Sequence, residues 1–308
     1  MENININGQT TEDNSVYWHL PGFCKFFQLN QMICNYMKNK PEMFRDGYRI
    51  GSVYGTFPGA IWNGGRAVFG IAAKAQIEQI LRVFNDMDVP VRFTWTNSLI
   101  EEKHVNDTYC NLIMKLADNG KNQVLVNTRV LEDYIREHYP NFDYISSTTK
   151  RITNLDEIRS ELEKGYRLVV LDYDLNHNEE VLKALEPEAS RIEILVDEIC
   201  YPNCPLRKNH YRDESKAQLE YDTNGVFRCP NTKTKPSFAE SMKRPAFIGN
   251  DSIDSYIKRG YRNFKLVGRG LPQEMVLDSY MYYLVKDRYR DELKAKLIKA
   301  LAGIQVTG

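Results

Sequence analysis

Strand-like and helix-like segments alternate along this chain from residue 49 to its end. The strand-like segments are rich in β-branched and aromatic residues, which favour sheets. Eight are expected, at residues 49–56, 89–96, 124–127, 144–147, 168–172, 192–196, 246–249 and 264–268. Parallel neighbours in a sheet need crossover connections, and eight is the number of strands that closes a β/α barrel. The pattern therefore predicts an α/β fold, an eight-stranded parallel TIM-like barrel.

The intervening segments carry apolar residues at helical spacing, as Ile77, Ile80, Leu81 and Phe84 do within residues 74–87. Asn154 is expected to begin a helix at 154–164 as its N-cap, and the glycine at 165 to end it. The main alternative to a barrel is an open doubly wound sheet. No predicted strand is followed by the glycine-rich phosphate turn that such sheets often use, which favours the barrel.

The ends of the chain give further expectations. Residues 1–15 are polar and are expected to form a disordered lead, which leaves residues 16–308 as a single barrel domain. Residues 15–48 are expected to form one or two N-terminal helices that close the bottom of the barrel or flank its side. Near the C-terminus, Leu293, Leu297 and Leu301 recur every four residues, which indicates a long helix. Such a stripe is more often core packing than an interface, although it could bind a partner protein.

Charge and hydropathy limit the partners of this protein. Lysine plus arginine equals aspartate plus glutamate, 41 against 41, so no net basic charge favours nucleic acid or anionic lipid. No apolar run approaches the roughly 20 residues that a membrane span needs. We therefore expect a cytoplasmic protein that binds neither membranes nor nucleic acid and acts on a small molecule.

The alternation breaks at residues 199–245, which are expected to form a long loop after the sixth predicted strand. This segment holds Cys200, Cys204 and Cys229 together with several prolines. A loop of this length inside a compact domain is usually functional. Three cysteines can converge on a metal, and zinc and an iron–sulfur cluster both stay open. A cluster needs a fourth ligand, for which the candidates are Cys24, Cys34, Cys110, His210 or the substrate; three unligated cysteines are the alternative.

Polar residues recur where predicted strands end, which is where β/α barrels keep their active sites. The glycine-rich loop after the first predicted strand also contains residues suited to binding a ligand, and Arg66 could contact a carboxylate or phosphate through two hydrogen bonds. The candidate substrate-binding residues are Tyr54, Trp62, Asn63, Arg66 and Arg269. The candidate catalytic residues, which would orient the substrate or exchange protons with it, are Asn97, Asn127 and Glu198.

Several of these stretches resemble the collagenase-like peptidase family U32. They are VLVNT at 124–128, YISSTT at 144–149, LVVLD at 168–172, ILVDEIC at 194–200, FIG at 247–249 and YRNFKLVGR at 261–269. The resemblance covers about residues 49–285 by pattern and implies a barrel. It also implies that Cys200, Cys204 and Cys229 are metal ligands, because the anaerobic hydroxylases in this family hold a [4Fe–4S] cluster on four cysteines and use prephenate as oxygen source. Uncharacterised bacterial members are the most similar, and they imply no settled reaction.

Three hypotheses follow. The first is an iron–sulfur barrel enzyme that acts on a small polar or anionic substrate, by oxygen-independent hydroxylation or related redox chemistry. The second is a peptidase-like or zinc hydrolase. The third is a non-enzymatic barrel subunit.

Overall fold

The computed structural model describes residues 14–230 and 237–307. Of the expected disordered lead, residues 1–13 lie outside this part of the chain. The described residues form a closed barrel of eight parallel strands in which each strand pairs with the next along the chain and β8 pairs with β1. The strands are β1 Val16–Pro21, β2 Tyr48–Gly55, β3 Val91–Trp95, β4 Gln123–Val126, β5 Asp143–Ser146, β6 Leu168–Val170, β7 Ile192–Leu195 and β8 Asn263–Lys265. The predicted TIM-like barrel is confirmed.

Helices connect the strands and surround the barrel. They are α1 Phe27–Asn39, α2 Lys74–Asn85, α3 Thr108–Ala117, α4 Arg129–His138, α5 Leu155–Glu163, α6 Glu179–Ala184, α7 Arg207–Glu220, α8 Phe238–Ser241, α9 Asn250–Lys258, α10 Gln273–Leu284 and α11 Arg290–Thr307. The predicted cap is confirmed, because the Asn154 side chain accepts hydrogen bonds from the backbone N–H groups of Asp156 and Glu157 at the start of α5. No helix among the described residues is long and apolar enough to cross a membrane.

One strand lies where helices were expected. Residues 16–21 are β1, which pairs with β2 and β8 and places Trp18 beside Phe264 in the register. In this strand Val16, Trp18 and Leu20 are buried in the main hydrophobic core. The expectation of helices alone for residues 15–48 is therefore wrong at its start, although α1 follows. Tyr17 and His19 between the apolar residues give the alternation of a strand.

The segment predicted as the seventh strand, residues 246–249, is not a strand. It is held against the residue that follows β7. Ile248 donates a backbone hydrogen bond to the carbonyl oxygen of Val196, at 2.7 Å, and accepts one from the Tyr283 hydroxyl, at 2.8 Å. However, β7 and β8 pair directly, with Glu193 opposite Asn263, which leaves no place for a strand between them. The predicted number of eight strands is confirmed, but residues 246–249 are not one of them, and β1 is the eighth.

The expected loop at 199–245 contains a helix of 14 residues, α7. Its buried side chains are mostly polar and include Arg207, Glu214, Ser215 and Gln218. A helix that buries polar groups has no apolar periodicity, so the pattern in the sequence did not indicate it.

The core has two parts, as the alternation of side chains in a strand requires. Outward-facing residues such as Phe93, Trp95 and Phe264 pack in the large cluster beneath the helices. A smaller apolar cluster of Leu125, Ile145, Leu168, Val170 and Leu195 is separate from it and lies among the inward-facing positions. On the outside, the stripe of Leu293, Leu297 and Leu301 is buried within this chain, where α11 packs against α10 and α1. This stripe is therefore core packing.

Candidate active site

A cavity of about 120 Å³ lies at the C-terminal ends of the strands. Its wall takes residues from many strand ends and from the segment after β7. Among the lining residues are Tyr54, Arg66, Thr94, Thr96, Ser147, Thr149, Tyr173, Glu198, Cys200, Arg207, His210, Tyr211, Lys265 and Arg269. This end of a β/α barrel is the one at which barrel enzymes carry out their chemistry.

The guanidinium of Arg269 is held on the cavity wall by neutral oxygen atoms. It donates to the Asn63 side-chain oxygen at 3.0 Å, to the Thr94 hydroxyl at 2.9 Å and to the Gly64 carbonyl at 3.2 Å. No carboxylate among the described residues lies within ion-pair distance of it. Burial lowers the pKa of Arg269, and nearby Arg66 acts in the same direction. The group is therefore an oriented cation without a counter-ion in the described part of the chain.

Arg66 approaches the same region from the loop after β2. Its Nη1 donates to the Nε2 atom of His210, and it lies 3.9 Å from the carboxylate of Glu214 on α7. The ring of His210 stacks on Phe227, with centroids 4.5 Å apart. Nε2 of His210 also lies 3.6 Å from the carboxylate of Glu214. The side chain of Arg66 is partly exposed, and at 3.9 Å its pairing with the Glu214 carboxylate is loose.

The loop that carries Arg66 is fixed to α7 by hydrogen bonds. Glu214 accepts the backbone N–H of Ala67 at 2.6 Å, and Gln218 accepts that of Val68, also at 2.6 Å. Gln218 also donates to the Val68 carbonyl at 3.3 Å. The segment after β7 and the loop after β2 therefore form one cover over the mouth of the barrel.

A charged layer lies inside the barrel beneath the cavity. Glu193 of β7 forms ion pairs with Arg92 and with Lys265, the latter at 3.2 Å, and Nε2 of His19 lies 3.3 Å from its carboxylate. Burial lowers the pKa of His19 to about 3, so this ring is neutral. Burial alone would raise the pKa of Glu193, but Arg92, His19 and Lys265 together hold it below its usual range. One carboxylate thus faces two cations in this layer.

Arg207 at the start of α7 is neutralised, unlike Arg269. It forms ion pairs with Asp172 at 3.1 Å and with Asp174 at 2.7 Å, and its guanidinium lies 3.5 Å from the centroid of the Tyr173 ring. Arg151 joins both carboxylates, at 2.8 and 3.0 Å. The two aspartates that follow β6 are therefore ion-paired, and they fix α7 over the cavity.

The structure brings some of the predicted site residues together. Those that line the cavity are Tyr54, Arg66, Glu198, Cys200 and Arg269. Within this set, Tyr54 donates its hydroxyl to the Leu266 carbonyl at 2.6 Å, and Glu198 accepts the backbone N–H of Cys200 at 3.0 Å.

The other predicted residues lie behind the cavity wall. Trp62 donates to the His104 carbonyl at 2.8 Å, and Asn63 holds Arg269. Asn97 donates to the carbonyl oxygens of Ile61 and Ser215, which ties the loop after β2 to α7. Asn127 donates to the Thr149 hydroxyl, which itself lines the cavity. None of these four side chains lines the cavity, and their predicted roles stay predictions.

The cysteines do not assemble a metal site in the described part of the chain. Among the residues at 14–230 and 237–307, no group of three or more histidine, cysteine, aspartate or glutamate side chains could hold a metal ion. Cys204 and Cys229 do not line the cavity. Of the candidate fourth ligands, Cys34 and Cys110 are buried, and burial raises the pKa of both thiols. The described residues therefore show no donor set of the kind that a cluster needs, and metal binding by Cys200, Cys204 and Cys229 stays a prediction.

Lys265 and Tyr211 were not among the predicted site residues. A signal for Lys265 was present, because Asn263, Lys265, Val267 and Arg269 alternate with Phe264 and Leu266 and so share the inward face of β8 and its extension. A lysine on the same face as the predicted Arg269 points to the cavity. Tyr211 had no such signal, because it lies on the helix that the sequence pattern did not indicate.

Comparison with known proteins agrees with the fold. No protein-family model matches the chain, and no curated protein matches it. Among solved structures, the U32 peptidase Mk0906 is similar, with a TM-score of 0.53 and 14% sequence identity over 86% of this chain and 97% of that one. At this identity the likeness shows a shared fold, which is the barrel that the sequence resemblance implied. It says nothing about the hydroxylases of the U32 family.

Proposed function

We propose that this protein is a β/α-barrel enzyme that acts on a small anionic substrate at the C-terminal mouth of the barrel. In this proposal Arg269 binds the anionic group through its guanidinium, and Arg66 closes over it from the loop after β2. Glu198 and Lys265, which face the same cavity, are the candidates for proton transfer.

The observation that carries the proposal is the charge of the cavity wall. Its basic side chains are Arg66, Arg207, Lys265 and Arg269, against the single carboxyl group of Glu198. Ion pairs with Asp172 and Asp174 neutralise Arg207. Arg269 has only neutral hydrogen-bond partners within the described residues, so an anion would supply the missing charge. Charge-assisted hydrogen bonds of a guanidinium with a carboxylate or phosphate are strong and directional.

The size of the cavity supports a small substrate. At about 120 Å³ it is below the range of about 300–1,000 Å³ that is common for sites of drug-sized ligands. A volume of this kind suits an anion of a few heavy atoms better than a stretch of polypeptide.

Peptide hydrolysis is the second candidate, because the similar structure is that of a U32 peptidase. Release of new amino termini from a mixture of unstructured peptides would support it, provided that the release is lost in a Glu198→Gln variant. The iron–sulfur interpretation and the associated hydroxylation stay predictions. Iron and sulfide analysis of protein purified without oxygen tests them directly.

Calorimetric titration with pyruvate and with inorganic phosphate tests the leading proposal. We expect wild-type protein to bind at least one of these anions and Arg269→Gln to bind it about 10- to 100-fold more weakly. A hydrogen bond to a charged group contributes about 1.5–3 kcal/mol, which corresponds to this factor. Arg82→Gln is the matched control, since Arg82 is exposed on α2, and it should bind as the wild type does. Equal affinity in wild type and Arg269→Gln, or no binding of either anion, would contradict the proposal.

A further inference from the structure

Lys265 is a buried amine that faces the cavity. It is the last residue of β8, and its side chain is 7% exposed. Its Nζ atom lies 4.3 Å from the centroid of the Tyr54 ring. The side chain is therefore fixed between the barrel interior and the cavity, and the cavity gives a small ligand access to it.

The surrounding charges do not hold Lys265 firmly in its protonated form. Its one ion-pair partner among the described residues, Glu193, lies 3.2 Å away and is shared with the buried guanidinium of Arg92. Burial lowers the pKa of Lys265 to about 8; Glu193 acts against this shift, and the charges of Arg92 and Arg269 act with it. An appreciable fraction of neutral amine is thus present near pH 8, whereas an ordinary lysine titrates near about 10.4.

A neutral amine in a desolvated site is a nucleophile for carbonyl carbon. The same cavity presents the guanidinium of Arg269, which suits a carboxylate. A ligand with a carbonyl group and a carboxylate would satisfy both side chains at once. Cys200 also lines the cavity, but burial raises the pKa of its thiol.

We propose that Lys265 forms an imine with the carbonyl carbon of a small anionic carbonyl compound, an oxoacid, whose carboxylate is bound by Arg269. This inference rests on the proposed function and deepens it. The nitrogen lone pair adds to the carbonyl carbon, and the carbonyl oxygen then leaves as water with the two protons of the amine. A carbon–nitrogen double bond replaces the carbon–oxygen double bond, so the step needs no oxidant or reductant.

Reductive trapping tests the imine. Wild-type protein is incubated at pH 8 with glyoxylate, pyruvate or succinic semialdehyde and then treated with borohydride. We expect one adduct per chain whose mass is that of the oxoacid less one oxygen atom, located at Lys265 by peptide mapping. Its yield should rise as the pH passes about 8, because the neutral amine is the reactive form.

Two variants locate the reaction. Lys265→Arg keeps a cation beside Glu193 and should give no adduct at this position, whereas Lys216→Arg, an exposed residue of α7, should react as the wild type does. Mapping on the wild type identifies the site even if Lys265→Arg does not fold. If an anion binds through Arg269 but none of the three compounds labels Lys265, the imine is refuted and the proposed function stands. If the anions do not bind either, both proposals fail.

Discussion

At the residue scale, glycine decides how closely the loop after β2 approaches Arg269. Gly65 has φ +75°, and a Cβ atom on it would lie 3.1 Å from Nη2 of Arg269. Backbone in this left-handed region costs other residues about 1–2 kcal/mol. The position therefore combines a backbone requirement with a close contact to the candidate anion-binding group.

We expect Gly65→Ala to lower the free energy of unfolding by about 1–2 kcal/mol and to weaken binding of the small anion. Gly165→Ala is the matched control, because Gly165 has φ +77° and its Cβ would meet no atom within 4 Å. Denaturant unfolding should show a similar loss in both variants, whereas calorimetry should show weaker anion binding in Gly65→Ala alone. Unchanged binding in Gly65→Ala would mean that the position of the loop does not matter to Arg269.

The sequence revealed the residues of the site unevenly. Arg66 and Arg269 were predicted because each follows an apolar strand, and both reach the cavity. Trp62 and Asn97 follow strands too, but their polar atoms bond to backbone carbonyls behind the wall. Position in the sequence places a residue at the mouth of the barrel, while the direction of its side chain depends on contacts with distant residues, such as His104 and Ser215, that have no local signal.

At the element scale, α7 holds the loop after β2 in place at the cavity. Gln218 lies fully buried on this helix and holds Val68 through both its acceptor and its donor, which fixes the loop that carries Arg66. Buried polar groups that lose their partner cost about 1–3 kcal/mol. We therefore expect the mobility of this loop to depend on Gln218, together with Glu214, which holds Ala67.

We expect Gln218→Ala to release the loop and to increase the rate of tryptic cleavage after Arg66 several-fold, since local opening exposes the backbone to protease. Glu220→Ala, an exposed change on the same helix, should leave the rate unchanged. Timed digestion followed by mass spectrometry measures both rates. Equal cleavage of the two variants would show that the loop is held elsewhere.

At the scale of the whole molecule, the number of strands and seven of the eight segments could be predicted, but the segment that completes the barrel could not. Closure depends on β1, whose short apolar alternation precedes a strongly helical segment, so the sequence around it favoured helices. The segment at 246–249 has the composition of a strand but is buried against the end of β7 and under Tyr283. Direct pairing of β7 with β8 decides between the two segments, and pairing between distant strands is not encoded in local pattern.

The polar interior of the barrel is also a property of the whole assembly. His19, Arg92, Glu193 and Lys265 come from four strands and meet only when the sheet closes. When Lys265 is protonated, it and Arg92 outweigh the one carboxylate of Glu193, and this net positive charge adds to that of Arg269 at the mouth of the barrel. We therefore expect anion binding to be a property of the closed barrel rather than of any single motif.

Anion binding at Arg269 is tested most directly by a crystal structure of the protein soaked with selenate, whose selenium atom is located by anomalous scattering. Selenate carries the charge and the oxygen atoms of a small oxyanion, so it reports where the protein prefers such a group. We expect a peak in the cavity with a selenate oxygen within hydrogen-bond distance of the Arg269 guanidinium. A cavity without selenate, in crystals where other surface sites are occupied, would contradict it.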